Sequence, residues 1–202
     1  MAKPLLITAF EPFPGVPENP TETLLRSLAQ SDDDVLAGAR HLVLPTRYHV
    51  AQATLLDALD LEASAVIMTG YSNRATGLTL ESRSTSAYLP DRPDSAGYCP
   101  VPDDAPMVTR ATQVDLHALV DRLSGEGLPA EISDDAGSYV CNHVYHAALG
   151  GPCGADGIPG LFVHIPAIAG SPLAETAAGR MSLNDLQKGL GIIARAVIVN
   201  SE

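Results

Sequence analysis

Apolar residues along this chain follow two alternating rhythms. Short unbroken runs at 4–9, 41–44, 65–69 and 161–165, with a further run at 130–133, are rich in Val, Ile and Leu and have the length of buried strands. Between them, segments at 21–30, 50–61, 109–123, 141–149 and 183–198 space their apolar residues at helical intervals. Asn19-Pro20-Thr21 opens the first helix with a side-chain acceptor and an early proline. The strand-helix alternation predicts an α/β fold: a mostly parallel sheet with helices on both faces, in a single domain spanning 1–202. The pattern lapses at 72–107, a stretch rich in Ser, Pro, Asp and Arg that predicts a functional loop or a hairpin excursion.

One departure from pattern stands at the end of the first strand. Two of the three phenylalanines, Phe10 and Phe13, lie on the Pro/Gly-rich loop FEPFPG. Ligand crevices of open α/β sheets lie at the carboxyl ends of the strands, so these rings are expected either to wall a pocket or to pack beneath the loop.

Composition narrows the function. The formal charge of −12 repels phosphate backbones, so nucleic acid is not an expected partner. No apolar run approaches the ~20 residues that span a bilayer, and the run after Lys3 is too short for a signal peptide. A cytoplasmic protein with no membrane partner is expected. Asp32-Asp33-Asp34 reads as a solvated turn. Three irregularly spaced cysteines, Cys99, Cys141 and Cys153, suit a reducing compartment rather than a disulfide framework and leave room for one working thiol.

Cys141 is the candidate, because it opens a predicted helix, where free backbone N–H groups and the helix dipole favour a thiolate. An inert buried cysteine is the competing reading. His164, in the apolar run LFVHI, emerges at the same end of the sheet and is either a base for that thiol or a core histidine bonded to backbone. Glu81, placed by the pattern in the long excursion, is either the carboxylate that orients the base or a solvated loop residue. Cys141, His143 and His146 have metal-ligating side chains, but no second pair stands at zinc-site spacing, and no metal is expected. His41, His49 and His117 read as strand-end and helix-surface residues, Cys99 and Cys153 as bystanders.

Four blocks, ITAFEPFPGVPENPTE, TGYSNRATGLTLE, AGSYVCNH and GLFVHIPAI, together resemble pyroglutamyl peptidase I, also called pyrrolidone carboxyl peptidase. This family of cysteine peptidases removes an N-terminal pyroglutamate. The resemblance runs through almost the whole chain. It implies a three-layer α/β/α sandwich and a triad of Glu81, Cys141 and His164. Phe10 and Phe13 would hold the flat lactam, with Tyr139 and Val140 lining the same pocket. Tyr71 would offer its backbone carbonyl to the lactam N–H, and Arg92 would stand near the scissile carbonyl. The implied partners are peptides beginning with pyroglutamate, the implied assembly a homo-oligomer such as a tetramer, and the implied cofactors none. The chain departs from the family at Tyr71-Ser72-Asn73-Arg74, where a glutamine and a Gly-rich run are usual. It departs again at Ser82, usually arginine, and at Pro14, usually glycine. Two rival readings follow: a divergent cysteine amidase acting on another cyclic or acylated amide, and a non-catalytic lactam-binding protein.

Overall fold

The structure, a computed structural model, describes residues 3–60, 63–88, 92–101, 105–154 and 157–199. In chain order the elements are β1 (Leu5–Phe10), α1 (Pro20–Leu28), α2 (Asp34–Ala37), β2 (Arg40–Leu44), α3 (Tyr48–Asp60), β3 (Ala65–Tyr71), β4 (Leu78–Glu81) and β5 (Arg83–Thr85). There follow β6 (Thr109–Ala111), α4 (Leu116–Gly125), β7 (Ala130–Ser133), α5 (Val140–Leu149), β8 (Gly160–Ile165), β9 (Ala167–Ile168), a 3-10 turn (Pro172–Glu175), β10 (Arg180–Met181) and α6 (Leu183–Val199). The expected end of the third helix at position 61 lies outside the described residues, as do parts of the 72–107 stretch.

The central sheet has six strands in the order β2-β1-β3-β8-β4-β7. All neighbours are parallel except β4 and β8, which run antiparallel. The inner strands β1, β3 and β8 are buried along nearly their whole length, as expected of a sheet covered on both faces. One face packs against α1, α4 and α6 through Leu24, Leu28, Leu119, Leu123, Leu190 and Ile193. The other packs against α3 and α5 through Leu55, Tyr48, Val144, Tyr145 and Phe162. The result is the expected α/β/α sandwich. No helix among the described residues is long and apolar enough to cross a membrane.

Three elements differ from the sequence pattern. Glu81 does not sit in an excursion: it ends β4, which is inserted into the sheet between β8 and β7. The excursion's remaining described part includes β5, which pairs with β6 as a two-stranded ladder beside the sheet. Residues 109–111 are therefore strand, and the helix expected from 109 begins only at Leu116, where the Asp115 carboxylate accepts the Ala118 N–H as an N-cap. The acidic run at 32–34 is a helix start, with Asp33 capping Val35 and Leu36 and forming a bidentate pair with Arg195.

Candidate active site

The nucleophile candidate rests on a turn built for it. Gly137 adopts φ +80°, a left-handed conformation that side chains disfavour, and its N–H bonds the Asp135 carboxylate. Arg83 holds the preceding residue by donating to both the carbonyl and the carboxylate of Asp134, each at 2.8 Å. The chain then enters α5 with Tyr139 at the N-cap, and no side chain caps the helix there. Cys141 thus lies in a first turn whose backbone N–H groups are not taken by a cap and are disposed toward an anion.

Asn142 fixes the orientation of this turn. It is buried, its Oδ1 accepts the Thr85 N–H at 2.9 Å, and its Nδ2 donates to the Thr85 carbonyl at 2.8 Å. The side chain thereby acts as an extra rung between α5 and β5. Asparagine is a poor helix former, so its presence inside a helix next to Cys141 was the available sequence signal for this role.

His164 comes from β8 on the face toward α5. Its Cα lies opposite Gly70 on β3 and Thr79 on β4. Glycine is required at 70 because a Cβ there would stand 2.8 Å from the Phe162 ring and 3.0 Å from His164 Cδ2. Glu81 lies two residues along β4 from Thr79, so it shares that face as a diagonal neighbour of His164. Its Oε1 meets His164 Nδ1 at 2.7 Å, with Glu81 1% and His164 9% exposed. Nδ1 is thus committed to the carboxylate, which leaves Nε2 as the ring nitrogen available to the Cys141 thiol on the same cavity wall. Burial alone would push the imidazole pKa down. Hydrogen bonds to Cys141 and Glu81, and their charges, override it and raise the ring to about 9.

These three side chains open onto one cavity of ≈ 790 Å³, lined by all the residues that the resemblance assigns to the site: Phe10, Phe13, Tyr71, Glu81, Arg92, Tyr139, Val140, Cys141 and His164. The two phenylalanines play different parts. Phe10 is 3% exposed and belongs to the core under α3, whereas Phe13 sits at the rim, its ring 6.5 Å from that of Tyr139. The loop carrying them is tied down by the Asn19 and Thr46 side chains, both donating to the Glu11 carbonyl, and by Thr21 Oγ1, which accepts the Phe10 N–H.

Arg92 lies with its guanidinium carbon 4.2 Å from the Tyr139 ring centre, a cation–π contact. The residue that anchors the following segment to α3 was not recognised from the sequence. Asp94 is buried, its Oδ2 accepts the Tyr48 N–H at the start of α3, and its Oδ1 accepts the Ala96 and Tyr98 N–H groups. The Tyr139 hydroxyl completes the tie by donating to the Pro93 carbonyl. Among the described residues no group of three His, Cys, Asp or Glu side chains is arranged to hold a metal ion. His143 and His146 lie along the same helix, but the His143 ring is packed among Tyr48, Tyr88 and His49, and burial pushes its pKa down to about 4.

An α/β sandwich that brings a helix-terminal thiol, an imidazole and a buried carboxylate together at the mouth of an aromatic cavity defines a cysteine-type hydrolase. The chain belongs to the pyroglutamyl peptidase family, whose model matches residues 3–200. It is 30% identical to the pyrrolidone-carboxylate peptidase of Escherichia fergusonii, covering 93% of this chain and 89% of that one. With the pyrrolidone-carboxylate peptidase of Deinococcus radiodurans it shares 33% identity over 86% of this chain and 82% of the relative. Among solved structures, pyroglutamyl peptidase I of Bacillus amyloliquefaciens superimposes with a TM-score of 0.83 at 26% identity, over 99% and 98% of the two chains. The pyrrolidone carboxyl peptidase of Thermococcus litoralis superimposes with a TM-score of 0.81 at 26% identity, over 98% and 94%.

Proposed function

We propose that this chain removes pyroglutamate from the N-terminus of peptides, with Cys141 as nucleophile, His164 as general base and acid, and Glu81 as the group that orients and charges the base. The observation that carries the reading is the Glu81–His164 hydrogen bond of 2.7 Å at the foot of the Cys141 helix, inside a cavity walled by Phe10, Phe13, Tyr71 and Tyr139.

His164 Nε2 takes the thiol proton, giving a thiolate and an imidazolium that Glu81 stabilises through Nδ1. The sulfur attacks the carbonyl that joins pyroglutamate to the next residue. The new C–S bond leaves an oxyanion that faces the first-turn N–H groups of α5, each such donor worth about 3 kcal/mol in the transition state. Collapse breaks the C–N bond, and the imidazolium gives its proton to the departing amine. Water, deprotonated by His164, then hydrolyses the thioester and restores the thiol.

Selectivity follows from desolvation. A lactam is flat and uncharged, so an aromatic slot holds it, while its N–H and C=O need one polar partner each, the N–H finding the Tyr71 carbonyl. An ordinary glutamate at the same place would bring an ammonium and a carboxylate into the slot without partners. Arg92, resting on Tyr139, is the group proposed to support the charge that develops at the scissile carbonyl. The resemblance also favours a homo-oligomer.

The deciding experiment is release of a fluorescent amine from pyroglutamyl-aminocoumarin under reducing conditions. Turnover by the wild type and none by Cys141→Ala is expected. No turnover by the folded, reduced wild type would transfer the assignment to a different amide, and binding without turnover to a lactam-binding role.

A further inference from the structure

The cavity at Cys141 exceeds what a five-membered lactam fills; at ≈ 790 Å³ it lies in the range that encloses ligands of many more atoms. The aromatic residues occupy one side of the nucleophile. The other side is floored by β4, with Thr79 and Glu81 at its base, and by the partly exposed β7. Thr79 is the register partner of both His164 and Glu131, so the three side chains stand in one row across β8, β4 and β7 and face the same way. With strands about 4.8 Å apart, the Glu131 backbone lies roughly 10 Å from that of His164. An extended lysine or arginine side chain reaches roughly 7 Å from a backbone nitrogen held at the imidazole, and the Glu131 side chain with the ion-pair contact covers the remainder.

Thr79 Oγ1 donates to Glu131 Oε1 at 3.2 Å, which draws the carboxylate along the row toward His164. Glu131 is otherwise exposed, and Asp135 lines the same wall with one oxygen held by the Gly137 N–H. Asp134 between them is neutralised by Arg83. Among the described residues Glu131 and Asp135 have no ion-pair partner. A further acceptor lies two residues along β4: Oε2 of Glu81, almost fully buried at the cavity floor, has no hydrogen-bond partner in the free protein. Of the cations lining the cavity, Arg92 rests on the Tyr139 ring, and Arg74 lies in the turn after β3.

We propose that Glu131, oriented by Thr79, selects peptides with lysine or arginine immediately after the pyroglutamate, by pairing with the cation of the departing portion. Thr79 is a positioning residue here and Glu131 a specificity residue. The inference rests on the peptidase reading above and adds the chemistry of the leaving side.

Three otherwise identical amidated peptides, pyroglutamyl-Lys, pyroglutamyl-Ala and pyroglutamyl-Glu, are compared by kcat/KM at low salt on the wild type, Glu131→Gln and Thr79→Val. The exposed pair predicts Lys over Glu by about two- to fivefold in the wild type. The ratio should fall toward one in Glu131→Gln, fall part of the way in Thr79→Val, and shrink as salt shortens the Debye length. Because the readout is a ratio between charges, a variant that only loosens the fold leaves it where it was. Equal rates for Lys and Glu overturn the proposal, as does a preference for Glu, which would give the leaving side to Arg74. Failure of all three peptides and of pyroglutamyl-aminocoumarin would instead refute the peptidase reading and this inference with it.

Discussion

At the scale of single residues, the site turns on one imidazole whose environment pulls two ways. Burial disfavours the charged ring of His164, and the hydrogen bonds and charges of Cys141 and Glu81 outweigh it, placing the ring at about 9 against an ordinary 6.5. The folded value is the higher one, so protonation of this ring stabilises the fold below the unfolded pKa, and that contribution is lost as pH rises through about 9. NMR titration of the ring should give a midpoint near 9 in the wild type and a lower one in Glu81→Gln, which removes one of the two groups that raise it. The stability advantage of the wild type over His164→Gln, measured in urea, should narrow across the same window. A wild-type midpoint at or below 6.5 would mean that burial wins and that the imidazolium is not held by its neighbours. In turnover, Glu81→Gln should cost about 10²–10⁴ in kcat, since the ring loses both its orientation and its counter-charge.

At the scale of elements, what could be read from the sequence was what has its own periodicity. The runs that became β1, β3 and β8, and the helical spacing of α1 and α5, declare themselves because each is long or fully buried. Cys141 and His164 were found at the ends of such elements. β4 was not legible: four residues, LTLE, placed after a glycine and among polar neighbours, form a strand because β8 and β7 offer ladders on both sides, a tertiary cause that no local pattern carries. Glu81 was therefore a candidate from its position while its strand was missed, and it was the resemblance that gave it a place in a triad. The same reason hid Asn142, Asp94 and Thr79, whose roles lie in bonds to residues 46 to 57 positions away. These ties make element-scale predictions. Gly70→Ala inserts a methyl between β3 and the rings of Phe162 and His164, so it should cost about 1–3 kcal/mol of stability and lower kcat by displacing the base. Asn142→Ala leaves the Thr85 N–H and C=O without partners and frees the start of α5. About 1–3 kcal/mol of stability should go, together with a fall in kcat larger than the change in KM. An unchanged kcat in a destabilised Asn142→Ala protein would mean that the thiol keeps its aim without that rung.

At the scale of the whole molecule, Cys153 and Cys141 together offer a way to ask whether the chain is one cooperative unit. The sheet divides the interior into two cores, one under α1, α4 and α6 and the other under α3 and α5, and both share the same six strands. A unit so constructed should lose both cores together, because neither face can open without exposing the strands that carry the other. Cys153 lies beyond the far end of α5 from Cys141, buried against Gly160, with its thiol pushed up to about 12 by burial. It should therefore resist alkylation in the native protein, whereas the partly exposed Cys141 at the cavity mouth should react. In rising urea, under reducing conditions, labelling of Cys153 by iodoacetamide should begin only where the far-UV circular dichroism is lost, the two transitions coinciding in midpoint. Labelling of Cys153 ahead of that loss would show that the α3–α5 side opens first. The single-domain expectation would then give way to two faces of unequal stability, with the reactive thiol on the weaker one.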